Sequence, residues 1–298
     1  MPLAFPDNRF AVRMAADVPW HGGDPLATKI ERRTVESETV AGKQELASPA
    51  VRRRLERPSE GPREMVRPLR YRWYPPCKEF ADRLAALVLL VIALPVIVVT
   101  ALLVKLTSRG PAFYTQTRVG RNGRAFTIYK LRTMIHQCES LTGPRWAVPG
   151  DPRVTRIGNL LRKTHLDELP QLINVLRGDM SLIGPRPERP EFVPELERSI
   201  PGYRQRLLVK PGVTGLAQVQ LPADVDTDSV RRKLLYDLYY IRRLGPWFDL
   251  RLLLCTAFYA VGVSYQTLGR WFRLPSREEV EAEVQQFVPE PPRTRRAA

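Results

Sequence analysis

The sequence lacks the residue patterns that build disulfide frameworks and zinc sites. Its 298 residues include three cysteines and three histidines. The cysteines, Cys77, Cys138 and Cys255, are scattered, form no CxxC motif and show no spacing typical of a metal site. A small odd number of thiols is typical of a protein in a reducing compartment. The apolar core of a secretory signal peptide is also missing, so we expect a chain that is not secreted.

Acidic residues are in the minority. The chain has 47 Lys and Arg against 31 Asp and Glu, which gives a formal net charge of +16. This excess predicts a polyanionic partner, namely nucleic acid, an anionic membrane surface or phosphorylated substrates. Nothing in the sequence resembles a base-reading module or another nucleic-acid motif. We therefore expect no nucleic-acid partner, although a membrane-anchored basic protein that binds nucleic acid or anionic lipid without catalysis is the alternative hypothesis.

One stretch lacks charged residues altogether. Leu84 to Val104 is an uncharged run rich in Leu, Val, Ile and Ala, and about 20 apolar residues are needed to reach across a bilayer. Residues 1–70 have no sustained apolar periodicity, and we expect a disordered extension that ends in an arginine-rich run. Such a run is either a solvated tail or a patch that binds anionic lipid, and its position before the apolar segment favours lipid.

The path of the membrane segment is open on sequence alone. The upstream arginines place its beginning in the cytoplasm, and the strongly basic chain that follows argues against export of its other end. Pro95 lies mid-segment, where it removes a backbone hydrogen bond and can kink the helix. A kinked helix that enters and leaves the same face explains both basic flanks, and a single-span anchor with a proline kink is the other interpretation.

Beyond the membrane segment, two β-prone runs flank Asn122-Gly123, which predicts a hairpin. Lys130 and Arg132 are two residues apart, so on a strand they project from the same face. Two cations on one face are either an ordinary wet sheet surface or a clamp for a diphosphate, with Arg118 as a further cation nearby.

An adjacent acid pair, Asp167-Glu168, opens an apolar-periodic stretch. We predict a helix that begins near Leu166 and ends at Gly178, because Pro170 is tolerated only near a helix start. Its expected buried face comprises Leu166, Leu169, Leu172, Ile173 and Leu176. Acids in a first turn commonly just balance the helix dipole, but the same helix end, with Arg162 and Lys163 beside it, suits a phosphate.

Taken in order, these segments resemble the bacterial sugar transferases. The apolar segment is followed by GPAFYTQTRVGRNGRAFTIYKLRTM, DPRVTRIGNLLRKTHLDELPQLINVLRGDMSLIGPRPE, VKPGVTGLAQV and DLYYIRR, and the resemblance covers roughly Lys78 to Tyr265. Members of this family are monotopic phosphoglycosyl transferases. They transfer a phosphosugar from a nucleotide diphosphate sugar to polyprenyl phosphate and release a nucleoside monophosphate. This reaction begins glycan assembly.

The resemblance implies roles for individual residues. Asp167 matches the family nucleophile, which forms a covalent phosphosugar intermediate, and Glu168 assists it. The two acids together are implied to hold a Mg²⁺ that neutralises the diphosphate. Substrate-binding roles are implied for four cations, Lys130, Arg132, Arg162 and Arg186. Asp237 matches a family acid that is either a substrate contact or a structural hydrogen-bonding group.

Two positions depart from the family pattern. Leu94-Pro95 stands where members commonly have Ser-Pro, which makes the re-entrant angle less secure. His165 stands where many have Ser, and we interpret it as a substitute cap or an exposed residue, with Thr164 as another candidate cap. Near the C terminus, Trp247 to Tyr265 is apolar but interrupted by charges, and an interfacial amphipathic helix or a core helix fits it better than a span.

These predictions combine into an α+β, mostly helical, membrane-associated fold. Its parts are one re-entrant, kinked hydrophobic helix, a small β-hairpin and amphipathic interfacial helices. We expect four regions: 1–70, a disordered basic extension; 71–107, the membrane-inserted helix; 108–272, the catalytic domain; and 273–298, a disordered tail. The expected location is the cytoplasmic face of the inner membrane. The expected partners are a nucleotide sugar, polyprenyl phosphate and anionic lipid, and a homodimer is also compatible. The sugar and the glycan pathway stay open.

Overall fold

The computed structural model describes residues 73–140, 143, 145–148, 150–222, 226–260 and 262–284. The predictions for residues 1–70, including the arginine-rich run, lie outside the described residues, as does the end of the tail from residue 285. The described elements are mostly helical with two small sheets, in agreement with the expected α+β class.

The first element, α1, is a 34-residue helix, Tyr74–Thr107, which includes Pro95. Within the described residues it is the one helix long and apolar enough to cross a membrane, and its most apolar window is 17% buried. Two stretches of α1 are buried, at Tyr74, Lys78, Asp82 and Ala86 and then at Ile97, Thr100 and Val104, whereas no residue from 87 to 96 is buried. The spacing of three or four residues within each stretch is that of one helix face. These residues lie on the side on which α1 meets the rest of the chain.

Two hydrophobic clusters receive opposite ends of α1. Tyr74 at its beginning and Ala86 about a third of the way along belong to the main core. Near its end, Val104 packs in a smaller cluster with Leu131 and Leu161. At 1.5 Å per residue, the helix from Tyr74 to Val104 measures about 45 Å. The same globular body therefore contacts α1 close to both of its ends.

The predicted hairpin is present. Strands β1, Phe113–Val119, and β2, Ala125–Leu131, pair in antiparallel register around a short 3₁₀ turn, Arg121–Gly123. Asn122 has φ 58° and Gly123 has φ 80°, and successive positive φ values are what an Asn-Gly hairpin turn requires. A second sheet pairs β3, Ser181–Ile183, in parallel with β4, Gly212–Thr214.

Helices α2, Arg156–Lys163, and α3, Gln171–Arg177, flank the acid pair, which lies in a 3₁₀ turn, Leu166–Glu168. The remaining elements surround the main core. They are α4 (Val193–Ser199), a 3₁₀ segment (Tyr203–Leu208), α5 (Leu216–Gln220), α6 (Thr227–Arg242), α7 (Pro246–Ala260), α8 (Tyr265–Trp271) and α9 (Arg277–Val284).

The structure corrects two expectations. The tail from residue 273 is not uniformly disordered, because α9 buries Val280 and Val284 completely in the main core. The helix predicted to begin near Leu166 begins instead after Pro170, and Ile173 is exposed rather than buried. Gly178, with φ 83°, ends α3 as predicted.

Helix α7 covers most of the apolar stretch that begins at Trp247. One face, with Phe248, Leu252 and Cys255, is buried. The opposite face exposes apolar side chains at helical spacing: Trp247, Leu250, Leu254 and Phe258. The helix is therefore both a core helix and an apolar surface.

Candidate active site

The acid turn, Leu166–Glu168, lies between α2 and α3 in the chain, and the residue before it has an unusual backbone conformation. His165 precedes it in the left-handed region, with φ 56° and ψ 15°, a conformation that is uncommon outside glycine and is concentrated at functional sites. The side chain of His165 is exposed, makes no capping hydrogen bond and lies beside Tyr259. Thr164 does not cap the acid turn either, because its hydroxyl donates back to the Leu160 carbonyl.

Leu166 ties this turn to α1. It packs against the cluster of Val104, Leu131 and Leu161. The acid pair is thus one residue away from a side chain that shares a hydrophobic cluster with the end of α1.

The two acids have opposite environments although they are adjacent. Glu168 is clamped by two cations: Lys130 Nζ donates to Oε1 at 2.7 Å, and the Arg186 guanidinium donates to the same oxygen at 2.6 Å. Burial alone would raise the pKa of Glu168, but the charges of Arg186 and Lys130 outweigh it and hold the pKa well below its usual range. Glu168 is therefore ionised at neutral pH.

Asp167 is 7% exposed, and within the described residues its carboxylate accepts no hydrogen bond and forms no ion pair. Burial, followed by the negative charge of Glu168, raises its pKa, while Lys130, Arg186 and Arg162 oppose the rise. A buried carboxylate with oxygens that have no protein partner is a competent nucleophile without a separate base. The three nearby cations would favour a phosphate next to it.

The pKa of Lys130 is also shifted by burial and by its charged neighbours. Burial lowers its pKa, Glu168 opposes the change, and the charge of Arg186 lowers it further. The pKa of Arg186 is raised, with Glu168 as the largest cause. Lys130 comes from β2 and Arg186 from the loop after β3, and both donate to the carboxylate of Glu168.

Arg186 lies in a loop that is held on three sides. Gly184 approaches the Lys210 carbonyl so closely that a Cβ atom there would lie 2.4 Å from that oxygen. On the strand side, Arg118 donates to the Pro187 carbonyl at 3.1 Å. Behind the loop, Arg206 donates to the carbonyl of Arg186 itself at 2.9 Å. The loop is thus fixed by contacts as well as by its prolines.

Asp237 lies behind this loop. It is 3% exposed and forms an ion pair with Arg206 at 2.8 Å. The chain of contacts runs from Asp237 through Arg206 to the backbone of Arg186. The sequence did not point to Arg206, because this residue lies outside the stretches that carry the family resemblance.

Arg132 is separated from the acid pair by its contacts. It follows the last residue of β2, is 4% exposed, and donates to the carbonyls of Ser108 and Arg109 at the end of α1. Arg162 bonds Thr133 at 2.9 Å yet still contributes to the field at Asp167. The structure therefore brings Lys130, Asp167, Glu168 and Arg186 together, with Arg162 close by. It directs Arg132 instead to the end of α1.

The family model for bacterial sugar transferases matches residues 73–262. This is more than half of the chain, and the chain belongs to that family. It is 46% identical over 172 residues to the UDP-N-acetylgalactosamine-undecaprenyl-phosphate N-acetylgalactosaminephosphotransferase of Aeromonas hydrophila, covering 58% of this chain and 40% of that protein. It is 44% identical over 177 residues to the UDP-glucose:undecaprenyl-phosphate glucose-1-phosphate transferase of Escherichia coli, covering 59% of this chain and 38% of that protein.

A third relative is shorter. The exopolysaccharide production protein PSS of Rhizobium leguminosarum is 38% identical over 200 residues, which cover 65% of this chain and 98% of that protein. The chain thus spans about two fifths of the two larger relatives and nearly the whole of this one.

Proposed function

We propose that the protein transfers a phosphosugar from a UDP-sugar to undecaprenyl phosphate and releases UMP, as the first membrane step of glycan assembly. The names of the relatives support the reaction class. The observation that carries it is the buried carboxylate of Asp167, which has no hydrogen-bond or ion-pair partner among the described residues and lies beside the cations that hold Glu168.

In the proposed first step, a carboxylate oxygen of Asp167 attacks the phosphorus nearest the sugar. A carboxyl–phosphorus bond forms, the bond to the bridging oxygen of the diphosphate breaks, and UMP leaves with that electron pair. In the second step, an oxygen of undecaprenyl phosphate attacks the same phosphorus and the carboxyl–phosphorus bond breaks. Asp167 is regenerated as a carboxylate. Lys130 and Arg186 would offset the phosphate charge throughout.

We propose Mg²⁺ as the cofactor. Carboxylate oxygens are the ligands that Mg²⁺ takes, usually one or two of them together with substrate phosphates. Asp167 offers unpartnered oxygens, and Glu168 lies beside it with its oxygens directed at two cations. The described residues hold no group of three or more His, Cys, Asp or Glu placed for a metal. The ion we propose would therefore take at most these two acids from the described residues, Asp167 first, and oxygens of the substrate diphosphate for its remaining ligands. When bound, the ion would neutralise diphosphate charge.

We further propose that α1 enters and leaves the membrane on the cytoplasmic face of the inner membrane. Contact of the catalytic body with both Ala86 and Val104 supports this path, because a straight crossing would separate them by most of a bilayer. The exposed apolar faces of α1 and α7 support contact of this body with lipid.

Catalysis can be tested with purified protein, undecaprenyl phosphate, Mg²⁺ and a panel of UDP-sugars that starts with UDP-glucose and UDP-N-acetylgalactosamine. We expect UMP release with at least one sugar. We also expect a covalent phosphosugar adduct by mass spectrometry that Asp167→Asn abolishes. No UMP from the whole panel, together with tight binding of duplex DNA, would refute the enzyme proposal and support the alternative. An adduct that persists in the Asn variant would place the nucleophile elsewhere.

Topology can be tested with single cysteines at Phe80 and Leu106, which are 71% and 73% exposed near the two ends of α1. We expect a membrane-impermeant maleimide to label both in inverted vesicles and neither in right-side-out vesicles, in a background without native cysteines. Labelling from opposite sides would establish a true span.

A further inference from the structure

Arg206 is a buried arginine that holds the backbone of another arginine. It lies in the 3₁₀ segment Tyr203–Leu208 and is 7% exposed. One terminal nitrogen donates to the Tyr203 hydroxyl at 2.9 Å. The other donates to the Arg186 carbonyl at 2.9 Å and lies 2.8 Å from a carboxylate oxygen of Asp237. Both ends of the guanidinium are therefore engaged by the protein, and the side chain joins its own segment to α6 and to the loop after β3.

Asp237 fixes the direction of this guanidinium. It is 3% exposed and lies in a part of α6 whose neighbouring residues, Leu238, Tyr240 and Ile241, are packed in the main core. Burial would lower the pKa of Arg206, but the charge of Asp237 outweighs it and raises the pKa. A charged arginine that is paired with a carboxylate on a packed helix has one preferred orientation.

Arg186 combines a held backbone with an accessible side chain. Its carbonyl accepts from Arg206, whereas its side chain is 41% exposed and donates to Glu168 at 2.6 Å. Arg206 itself is buried and bound on both of its terminal nitrogens. Arg186 is therefore the arginine of this pair that can reach a phosphate beside the acid turn, and Arg206 is the one that sets where Arg186 starts.

We propose that Arg206 and Asp237 are positioning residues for the proposed transfer reaction, on which this role rests. They act through the backbone of Arg186 and hold its guanidinium where it meets the diphosphate of the donor. A direct contact of Asp237 with the donor is disfavoured, because its carboxylate is already paired with Arg206 and would repel a diphosphate. A displacement of about 1 Å at a group that contacts substrate can cost about a hundredfold in rate, so a hold on Arg186 from behind has a measurable effect.

The first test variant is Arg206→Lys. Lysine keeps a positive charge beside Asp237, which matters because removal of one partner of a buried ion pair is strongly destabilising. It lacks the planar fork that lets arginine bind Tyr203, the Arg186 carbonyl and Asp237 together. Asp237→Asn is the second variant. It keeps the shape and one acceptor oxygen, and it repeats the test if Arg206→Lys does not fold.

A matched control comes from the same 3₁₀ segment. Arg204 forms an ion pair with Glu197 of α4 at 3.2 Å, and Arg204→Lys is the same chemical change two residues away. We expect this control to leave ligand binding and adduct formation unchanged. An effect of the control as large as that of Arg206→Lys would assign the loss to the segment as a whole and overturn the proposal.

The measurement is the binding of UDP to the purified protein by calorimetry in the presence of Mg²⁺, which needs no turnover. We expect Arg206→Lys to weaken UDP binding by roughly three- to tenfold. The same change is then made in Arg186→Met protein. There it should have no further effect, because the guanidinium through which Arg206 acts is absent. A merely structural role would weaken UDP binding equally in both backgrounds.

Two results would overturn the positioning role. One is an equal loss of affinity in the wild-type and Arg186→Met backgrounds. The other is wild-type protein that binds UDP no more tightly than Arg186→Met, since Arg186 would then not be a phosphate contact at all.

Catalysis is scored separately by formation of the covalent adduct from UDP-sugars, which we expect Arg206→Lys to slow by roughly ten- to a hundredfold. If the wild type turns over but the two substitutions act independently, this inference fails and the proposed function stands. Coupling of Arg206 and Arg186 in UDP binding, without turnover on any UDP-sugar, would support the hold on Arg186 and refute the proposed reaction.

Discussion

Replacing Lys78 by methionine tests how α1 is held to the main core. Lys78 Nζ lies 2.7 Å from Asp249 Oδ2 in α7 and 3.4 Å from Asp82 Oδ2 in its own helix. All three residues are less than 10% exposed. One buried cation therefore neutralises two buried carboxylates, and methionine fills a similar volume without the charge.

The magnitude follows from these distances. Breaking a buried ion pair by removal of one partner costs about 3–5 kcal/mol. Because both carboxylates lie close to Nζ, they lie within about 6 Å of each other and would repel by roughly 3 kcal/mol at an effective dielectric constant near 20. Tyr74 and Tyr240 still donate to Asp249, and Ser181 to Asp82, which limits the loss. We therefore expect a decrease of about 3–5 kcal/mol in the free energy of unfolding.

Thermal unfolding in detergent measures the effect. For a domain of this size we expect the Tm to fall by roughly 6–20 °C. The control is Arg277→Met, which removes an exposed ion pair of the same i,i+4 spacing from Glu281 and should cost about 0.3–0.5 kcal/mol. Adding Asp82→Asn to Lys78→Met should restore about half of the loss. A deficit no larger than that of the control, or no recovery in the double variant, would refute the reasoning.

Three further predictions concern the acid turn and its support. The acid limb of the kcat/KM profile should lie above the pH of an ordinary aspartate, because burial and then Glu168 raise the pKa of Asp167 and the proposed nucleophile must be ionised. Glu168→Gln should shift that limb to lower pH while kcat falls. A carboxyl whose folded-state pKa is raised gives stability that is complete at acid pH and is lost as the pH rises through that value. Denaturant unfolding should therefore find Asp167→Asn more stable than the wild type at pH 7, with the gain disappearing in acid. Gly158→Ala should lower the Tm by several degrees, because its Cβ would lie 2.0 Å from the Thr133 carbonyl oxygen, whereas Gly269→Ala, with nothing within 4 Å of its Cβ, should not.

Local chemistry made parts of the fold predictable from the sequence. The hairpin was predicted from Asn122-Gly123, because the two residues tolerate the positive φ angles of the turn. The end of α3 was predicted from Gly178 for a related reason. The predicted start of α3 was wrong because a 3₁₀ turn precedes Pro170 and the α-helix begins only at Gln171. The buried face of α3 therefore has to be counted from Gln171. Ile173 consequently turns outward.

The sequence contains a capping motif that could have predicted helix α9. Ser276 and Glu279 form a capping box, with reciprocal bonds at 3.2 Å and 3.0 Å between side chain and backbone. Val280 and Val284 follow at a spacing of four. The proline-rich sequence around them obscured a helix of only eight residues.

The candidate site was only partly within reach of sequence reasoning. Lys130 and Glu168 are 38 positions apart and Arg206 and Asp237 are 31 apart, so nothing short of the fold shows that they meet. The alternation rule placed Arg132 on the same face as Lys130, but β2 ends at Leu131. Arg132 lies beyond the strand, and its side chain binds the carbonyl of Arg109 just after α1. Only the tertiary structure therefore shows which cation pairs with which acid.

The contact of α1 with the globular body near both of its ends has a consequence for how far the reaction centre sits from the lipid. Leu166 packs in the cluster that receives Val104, so Asp167 beside it, the proposed nucleophile, has a fixed position relative to α1 rather than one set by a flexible tether. If α1 enters the bilayer as proposed, Asp167 also has a fixed height relative to the lipid. The phosphate of a membrane lipid also has a fixed height, at the boundary between headgroups and acyl chains. The depth at which α1 settles in the bilayer would therefore decide whether carboxylate and lipid phosphate are level with each other.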